Sequence, residues 1–373
     1  MKLETLANPR RMKLRVKQRS NMALKYGSYE LGLETAPTFP DRVYVESTNV
    51  CNLDCIMCPT GLHIDTRPKG FMEWDLYTSI IDEIAPFAHA VVLHSWGEPL
   101  LHKRIMEMIT YAKSRGLWVE TSTNATKLTE EVSRQLLAAG IDRIYLSMDG
   151  LTKETYEKVR VGGNFEEVLG NIERFLELKD ELGSSVEADI QIVRLSETDA
   201  EVAAFVERWR NSRADVINIK ELDTWGDQID DVSALTVDED AAEHSAQVNA
   251  DRKPCPNLWY HCHIHWDGVL VSCSRDYDAV TPLGNVKNGG VLKIWHGARM
   301  RAMRRLHLEG NFCAHQCVDC TEWSWWKPTP FGGGGTGGKV DRVETETSEH
   351  DDEKSGLKRL PVLSSDSCGS CDD

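Results

Sequence analysis

Six β-type segments alternate with helical ones between residues 41 and 222, and this alternation constrains the fold more than any other feature of the chain. The segments DRVYVEST (41–48), HAVVLHSW (89–96), LWVETSTN (117–124), IDRIYLSMDG (141–150), SSVEADIQIVR (184–194) and ADVINIKEL (214–222) read as strands, several of them rich in β-branched residues. Between them lie MEWDLYTSIIDEIAPF, HKRIMEMITYAKSRG with its glycine stop, TEEVSRQLLAAG with a Thr cap, NFEEVLGNIERFLELKDELG and TDAEVAAFVERWRN, which read as helices. Strands joined by helical crossovers run parallel, which predicts an α/β fold. Ligands of such sheets gather at the carboxyl ends of the strands. The cysteine loop after the first strand, GEP, STN and SMDG all follow strand ends, and are expected to meet at one mouth.

That first loop holds Cys51, Cys55 and Cys58, spaced C-x3-C-x2-C. Three thiols are one short of a closed tetrahedral zinc site and an odd number for disulfides. The eleven cysteines fall into four groups, 51/55/58, 255/262/273, 313/317/320 and 368/371. In a reducing compartment such clustering points to metal rather than to disulfides. A cubic four-iron cluster has four irons, each needing one protein ligand, with thiolates the usual donors. Three cysteines on one loop would leave the fourth iron open to a small molecule's amine and carboxylate. A structural zinc knuckle is the alternative reading.

The net charge of −16 disfavours a nucleic-acid partner. The first twenty residues carry seven Lys/Arg against one Glu and lack the apolar core of a signal peptide. They read as a solvated helix or arm rather than a docking helix. With no transmembrane segment in the sequence, the expected location is cytoplasmic.

The motif at Cys51, Cys55 and Cys58, following the first strand of a β/α repeat, resembles that of the radical S-adenosylmethionine (SAM) superfamily. The resemblance implies a partial (β/α)6 TIM-like barrel and a [4Fe-4S] cluster whose open iron binds SAM. Its chemistry is reductive cleavage of SAM to a 5′-deoxyadenosyl radical that abstracts hydrogen from a substrate. Gly97, Glu98 and Pro99 resemble the family's Gly-Glu-Pro segment, with Glu98 a partner for the SAM ammonium. Ser122, Asn124, Ser147 and Asp149 resemble the residues that meet the ribose and carboxylate, and Arg160 an arginine that pairs with the carboxylate. Against these stand plainer roles: Ser122 and Asn124 as caps, Asp149-Gly150 as a turn, Arg160 as a surface charge.

The second cysteine-rich region, 255–320, resembles the SPASM or shorter twitch extension of the same superfamily, which carries auxiliary iron–sulfur clusters. The resemblance implies Cys255, Cys273, Cys317 and Cys320 as ligands of one auxiliary [4Fe-4S] cluster. The segment after Cys320, TEWSWWKPTP, lacks the cysteines a second cluster would need. Cys262 and Cys313 remain spare, as candidate hydrogen-atom donors, and the tail pair Cys368/Cys371 could supply missing cluster ligands. His261, His263 and His265 share one face of a strand and read as packing beside a cluster. Trp323, Trp325 and Trp326 read as core.

The expected division is a basic segment at 1–40, the barrel at 41–235, the auxiliary domain at 236–327 and a disordered acidic tail at 328–373. The expected activity is oxidation or epimerisation of a small molecule, such as a sugar or aminocyclitol, with a flavodoxin- or ferredoxin-type reductant. Peptide or protein maturation is the alternative, weakened by the short stretch before the first strand. A non-catalytic iron–sulfur or zinc scaffold is the alternative of another class.

Overall fold

The computed structural model describes residues 9–237, 248–250, 252–325, 328 and 340–344. All six expected strands form: β1 (Arg42–Val45), β3 (Ala90–Val92), β4 (Trp118–Thr123), β5 (Arg143–Ser147), β7 (Glu187–Arg194) and β8 (Val216–Glu221). They pair in chain order and every pairing is parallel. A short antiparallel pair, β2 (Asp54–Cys55) and β6 (Arg160–Val161), lies apart from this sheet. The crossovers are α2 (Trp74–Ile84), α3 (Ile105–Ser114), α4 (Glu130–Ala139), α6 (Phe165–Glu181) and α7 (Val202–Arg210), with the short α5 (Lys153–Val159) before β6. Local chemistry sets their ends. Thr129 caps α4 by accepting from the Val132 amide, and Gly140 closes it in the left-handed region.

Strand alternation sorts the two faces of the sheet. Val43, Val91, Val119, Ile144, Ile190 and Ile217 are buried in the core shared with the helices. Their neighbours in sequence (Arg42, Tyr44, Glu120, Tyr145, Asp189, Asn218) lie on the inner face, which is polar. That inner layer is satisfied internally in part: Arg42 pairs with Glu120 and reaches the Tyr145 hydroxyl at 3.3 Å, and Asn218 donates to Asp189 at 3.0 Å.

Three features depart from the expected division. First, the auxiliary region is not a separate appendage. Its strand β9 (His261–Ile264) pairs in parallel with β1, then turns through an antiparallel hairpin with β10 (Val269–Val271), which pairs with β11 (Gly284–Asn285). The two regions share one ten-stranded sheet. Second, the basic N-terminal segment is no solvated arm. Its helix α1 (Pro9–Glu30) packs across the seam: Lys25 is buried, pairs with Asp41 and sits 4.4 Å from the Tyr260 ring centroid, while the Tyr29 hydroxyl donates to the Pro254 carbonyl at 3.0 Å. The buried amides of Gln18 and Asn21 satisfy carbonyls at the bottom of the barrel, a role that net charge cannot reveal. Third, within the stretch expected to be disordered, Val340–Glu344 forms β12, which pairs antiparallel along β8. An unpaired edge of β8 would offer a row of free backbone groups, and β12 covers it. Trp326, Cys368 and Cys371 lie outside the described residues.

Candidate active site

The loop between β1 and α2 carries Cys51, Cys55 and Cys58 to the carboxyl ends of the strands. All three are free thiols. The loop is fixed from several sides. Gly97, at φ 79°, lies so close beneath it that a Cβ there would stand 2.6 Å from the Thr48 carbonyl oxygen, which is why this position needs glycine. The Glu98 amide donates to the Val50 carbonyl at 2.9 Å. Cys55 lies on β2, opposite Arg160 on β6.

The expected cofactor contacts converge here, with different immediate partners. The buried carboxylate of Glu98 accepts from the Asn124 amide at 2.7 Å, the Thr123 hydroxyl at 2.9 Å and the Leu100 amide at 3.0 Å. It therefore ties the end of β4 to the turn after β3, and a partner role toward an ammonium is not needed to explain it. Asn124 bonds the Thr126 amide in a local turn, and its Nδ2 reaches Asn52 at 3.2 Å and the Cys51 sulfur at 3.9 Å. Arg160 is half-buried; it donates to Asp149 at 2.7 Å and directs Nη1 at the Cys55 sulfur, 3.6 Å away. Asp149 also accepts from the Val193 amide at 2.7 Å, so it holds β7 and Arg160 together. Ser122 and Ser147 face each other at 3.5 Å across β4 and β5, and Gln191 donates to Ser147 at 2.6 Å.

The donor set fits a four-iron cluster. Three thiols stand at a strand-end mouth, and N–H groups of Asn124 and Arg160 point at two of the sulfurs, the kind of contact that sets cluster potential. Burial pushes the Cys58 thiol up to about 12, with the neighbouring Cys55 adding to it. Loading a cluster there must expel a proton.

In the auxiliary region Cys255, Cys273, Cys317 and Cys320 line one enclosed cavity with Arg275, Asn257 and Trp323. Asn257 Nδ2 lies 3.6 Å and Arg275 Nη1 3.8 Å from the Cys273 sulfur. Arg275 also grips Asp223 through two bonds of 3.0 and 2.8 Å and lies 3.5 Å from Glu322. Asp223 follows β8, so this fork joins the auxiliary cavity to the barrel mouth. Burial pushes its carboxyl up, against the pull of Arg275. Trp323 lines the cavity, and Arg275 lies over the Trp325 ring, 5.4 Å from its centroid.

The two hydrogen-donor candidates are corrected. Cys262 is fully buried on the outer face of β9, in the core, because its strand parity is opposite to that of His261 and His263. Cys313 is exposed and outside the four-cysteine cavity. The histidines do share one face of β9: they line the barrel interior, where His263 stacks on Tyr44 at 4.5 Å. Residues that sequence reasoning missed include Arg275, Asp223, Glu46 and Arg67. Arg67 forks onto the buried Glu46 with two bonds of 2.9 Å and donates to the Tyr277 carbonyl, locking the cysteine loop's far end to the auxiliary region. No spacing rule marks such long-range pairs.

Residues 45–208 match the family model described as the radical SAM superfamily, and residues 255–321 match SPASM, an iron–sulfur cluster-binding domain. The chain thus carries a radical SAM domain followed by a C-terminal SPASM domain. Among curated relatives, an AdoMet-dependent heme synthase of Methanosarcina barkeri is 36% identical over 135 residues, which are 36% of this chain and 38% of that protein. The tungsten-containing aldehyde ferredoxin oxidoreductase cofactor-modifying protein of Pyrococcus furiosus is 25% identical over 320 residues, covering 75% of this chain and 86% of its own. Among solved structures, Streptococcus suis SuiB bound to S-adenosylmethionine superposes with a TM-score of 0.58 at 13% identity, over 76% of this chain and 71% of that one, a likeness of fold. These domains imply a [4Fe-4S] cluster, SAM and auxiliary cluster binding. Among the described residues, no helix is long and apolar enough to cross a membrane.

Proposed function

We propose that this radical SAM enzyme abstracts a hydrogen atom from a hydroxyl-bearing carbon of a small molecule, such as a sugar or aminocyclitol, and oxidises it. When bound and reduced, the cluster at Cys51, Cys55 and Cys58 supplies the electron that cleaves SAM to the 5′-deoxyadenosyl radical. The protein's part is to hold that trio at the mouth, with Asn124 and Arg160 directed at its sulfurs. The Arg275–Asp223 fork keeps the four-cysteine cavity next to the same mouth, where a second cluster could accept the electron that oxidation releases. That juxtaposition is the observation that carries the reading. Oxidation is favoured over epimerisation because neither Cys262 nor Cys313 reaches the mouth to return a hydrogen atom. A flavodoxin- or ferredoxin-type protein would supply the first electron.

A second reading is maturation of a peptide or a protein-bound cofactor. It is favoured by the Pyrococcus relative, a cofactor-modifying protein by name, whose similarity runs through most of both chains. Anaerobic reconstitution with iron and sulfide, then dithionite and SAM, tests the common core. 5′-Deoxyadenosine should form and should vanish in Cys51→Ala. If it never forms, or if the variant makes no difference, the chain is a scaffold rather than an enzyme. With a substrate in hand, product mass separates oxidation, a loss of two hydrogens, from epimerisation.

A further inference from the structure

The inner wall of the barrel carries a positive charge that the protein itself does not pair. Its acids have partners: Glu46 pairs with Arg67, Glu120 with Arg42, Asp149 with Arg160 and Asp223 with Arg275, while Asp189 accepts from Asn218 and lies 3.7 Å from Arg143. Lys220 is left over. On β8 Ile217 and Ile219 pack toward the helices, so Asn218 and Lys220 face inward. Lys220 stands in register with Val193, whose amide holds Asp149, which places it at the level of the mouth. Among the described residues no ion pair or hydrogen bond to its ammonium is formed.

Other polar atoms of this wall are also unspent. The indole Nε1 of Trp96, Nδ1 of His94, and both ring nitrogens of His263 and His265 are buried without a hydrogen-bond partner among the described residues. Trp96 is 4% exposed and His265 fully buried, so bulk water does not satisfy them. Trp96 belongs to an aromatic cap with Trp225 and Tyr277, at centroid distances of 4.7 and 5.9 Å, and the Trp225 indole is anchored on the Met57 carbonyl inside the cysteine loop. Burial pushes His94, His263 and His265 down to about 3, so at neutral pH each is an uncharged ring with one donor and one acceptor. Trp and Lys can only donate. Of these groups His94 lies near enough to feel the Lys220 charge, and a ligand complementary to that lysine must bring acceptors and negative charge.

We propose that Lys220 is the counter-ion for an anionic group, a carboxylate or a phosphate, on the substrate, with His94 supplying a hydrogen bond beside it. This deepens the small-molecule reading given above and rests on it, since it narrows the substrate to an acid or a phosphate ester. The lysine is pushed below its ordinary value by burial, opposed by Asp149 and Asp223 and aided by Arg160, and a bound anion would offset that cost. His94 is the further titratable group that feels the Lys220 charge.

The test is acylation of lysines in the reconstituted full-length protein at neutral pH, read by peptide mass spectrometry. Inorganic phosphate, acetate or chloride is added at matched ionic strength. Phosphate or acetate should slow labelling of Lys220 several-fold relative to chloride while leaving the exposed Lys127 unaffected, and the better protector identifies the anion. Absence of protection by either anion, or equal protection of Lys127, overturns the proposal. So does full protection by SAM alone, which would assign Lys220 to the cofactor. If an anion protects Lys220 but SAM is never cleaved, the radical reading fails while the anion site stands.

Discussion

Arg275 and Asp223 face each other fork to fork, with bonds of 3.0 and 2.8 Å between a guanidinium of the SPASM domain and a carboxylate at the end of the last barrel strand. Arg275 is 4% exposed, and it lies within 3.8 Å of the Cys273 sulfur. One side chain thus joins barrel and auxiliary site. Arg275→Met leaves Asp223 and Glu322 buried without their cation, which is expected to cost ~3–5 kcal/mol. Iron content and chemical-denaturation midpoints should both fall; an unchanged midpoint with full iron would show that the fork is dispensable.

A second prediction concerns Arg160 and its contact with the Cys55 sulfur. Hydrogen bonds to cluster sulfurs stabilise the reduced, more negative state. Arg160→Leu, combined with Asp149→Leu so that no buried charge is stranded, should move the potential of the SAM-binding cluster to more negative values. Potentiometric titration followed by electron paramagnetic resonance measures this, and a shift to positive values would contradict the assignment.

Gly97→Ala should be among the most damaging single-methyl changes in the chain. The new Cβ would meet the Thr48 carbonyl at 2.6 Å in a backbone conformation of φ 79°. A loss of ~2 kcal/mol or more is expected, with the cysteine loop displaced. Thermal unfolding and iron uptake report the two effects separately.

Acid should weaken the fold through the barrel histidines. His94, His263 and His265 are held at about 3 in the folded protein, below the ordinary value of ~6.5. Their neutral forms favour folding fully above the unfolded value, and that contribution is lost as pH falls from ~6.5 toward 3. The slope is ~1 kcal/mol per histidine per pH unit. Urea midpoints at pH 7.5 and 5.5 should differ, and the difference should shrink in His263→Gln.

The Cys51/Cys55/Cys58 triple-alanine protein should retain about four irons after reconstitution, held by the four cysteines of the auxiliary cavity. About eight would require a second auxiliary cluster. Cys313→Ala, at an exposed thiol outside that cavity, should leave the count unchanged.

The parallel sheet was legible from strand alternation, and the trio from its spacing, because both are local patterns. What was not legible depends on pairs far apart in sequence. Arg67 finds Glu46 within twenty-one residues, but Arg275 finds Asp223 across fifty-two, and α1 finds the auxiliary region across more than two hundred. Parity along a strand is equally local: the same alternation that buries Cys262 turns His263 inward, and it turns Lys220 inward on β8. The SPASM hairpin was read as a separate unit because nothing in HCHI says that its partner is RVYV.

That partnership has a consequence for how the protein is made. β1 spans Arg42–Val45, yet one of its two edges is completed only by His261–Ile264. On a ribosome working at about 5–20 residues per second, the first strand would wait on the order of ten to forty seconds for its neighbour. During that interval an unfinished sheet edge is displayed beside the nascent cysteine loop. A chain stopped after the radical SAM domain would keep that edge permanently, and is expected to self-associate rather than fold to a soluble half.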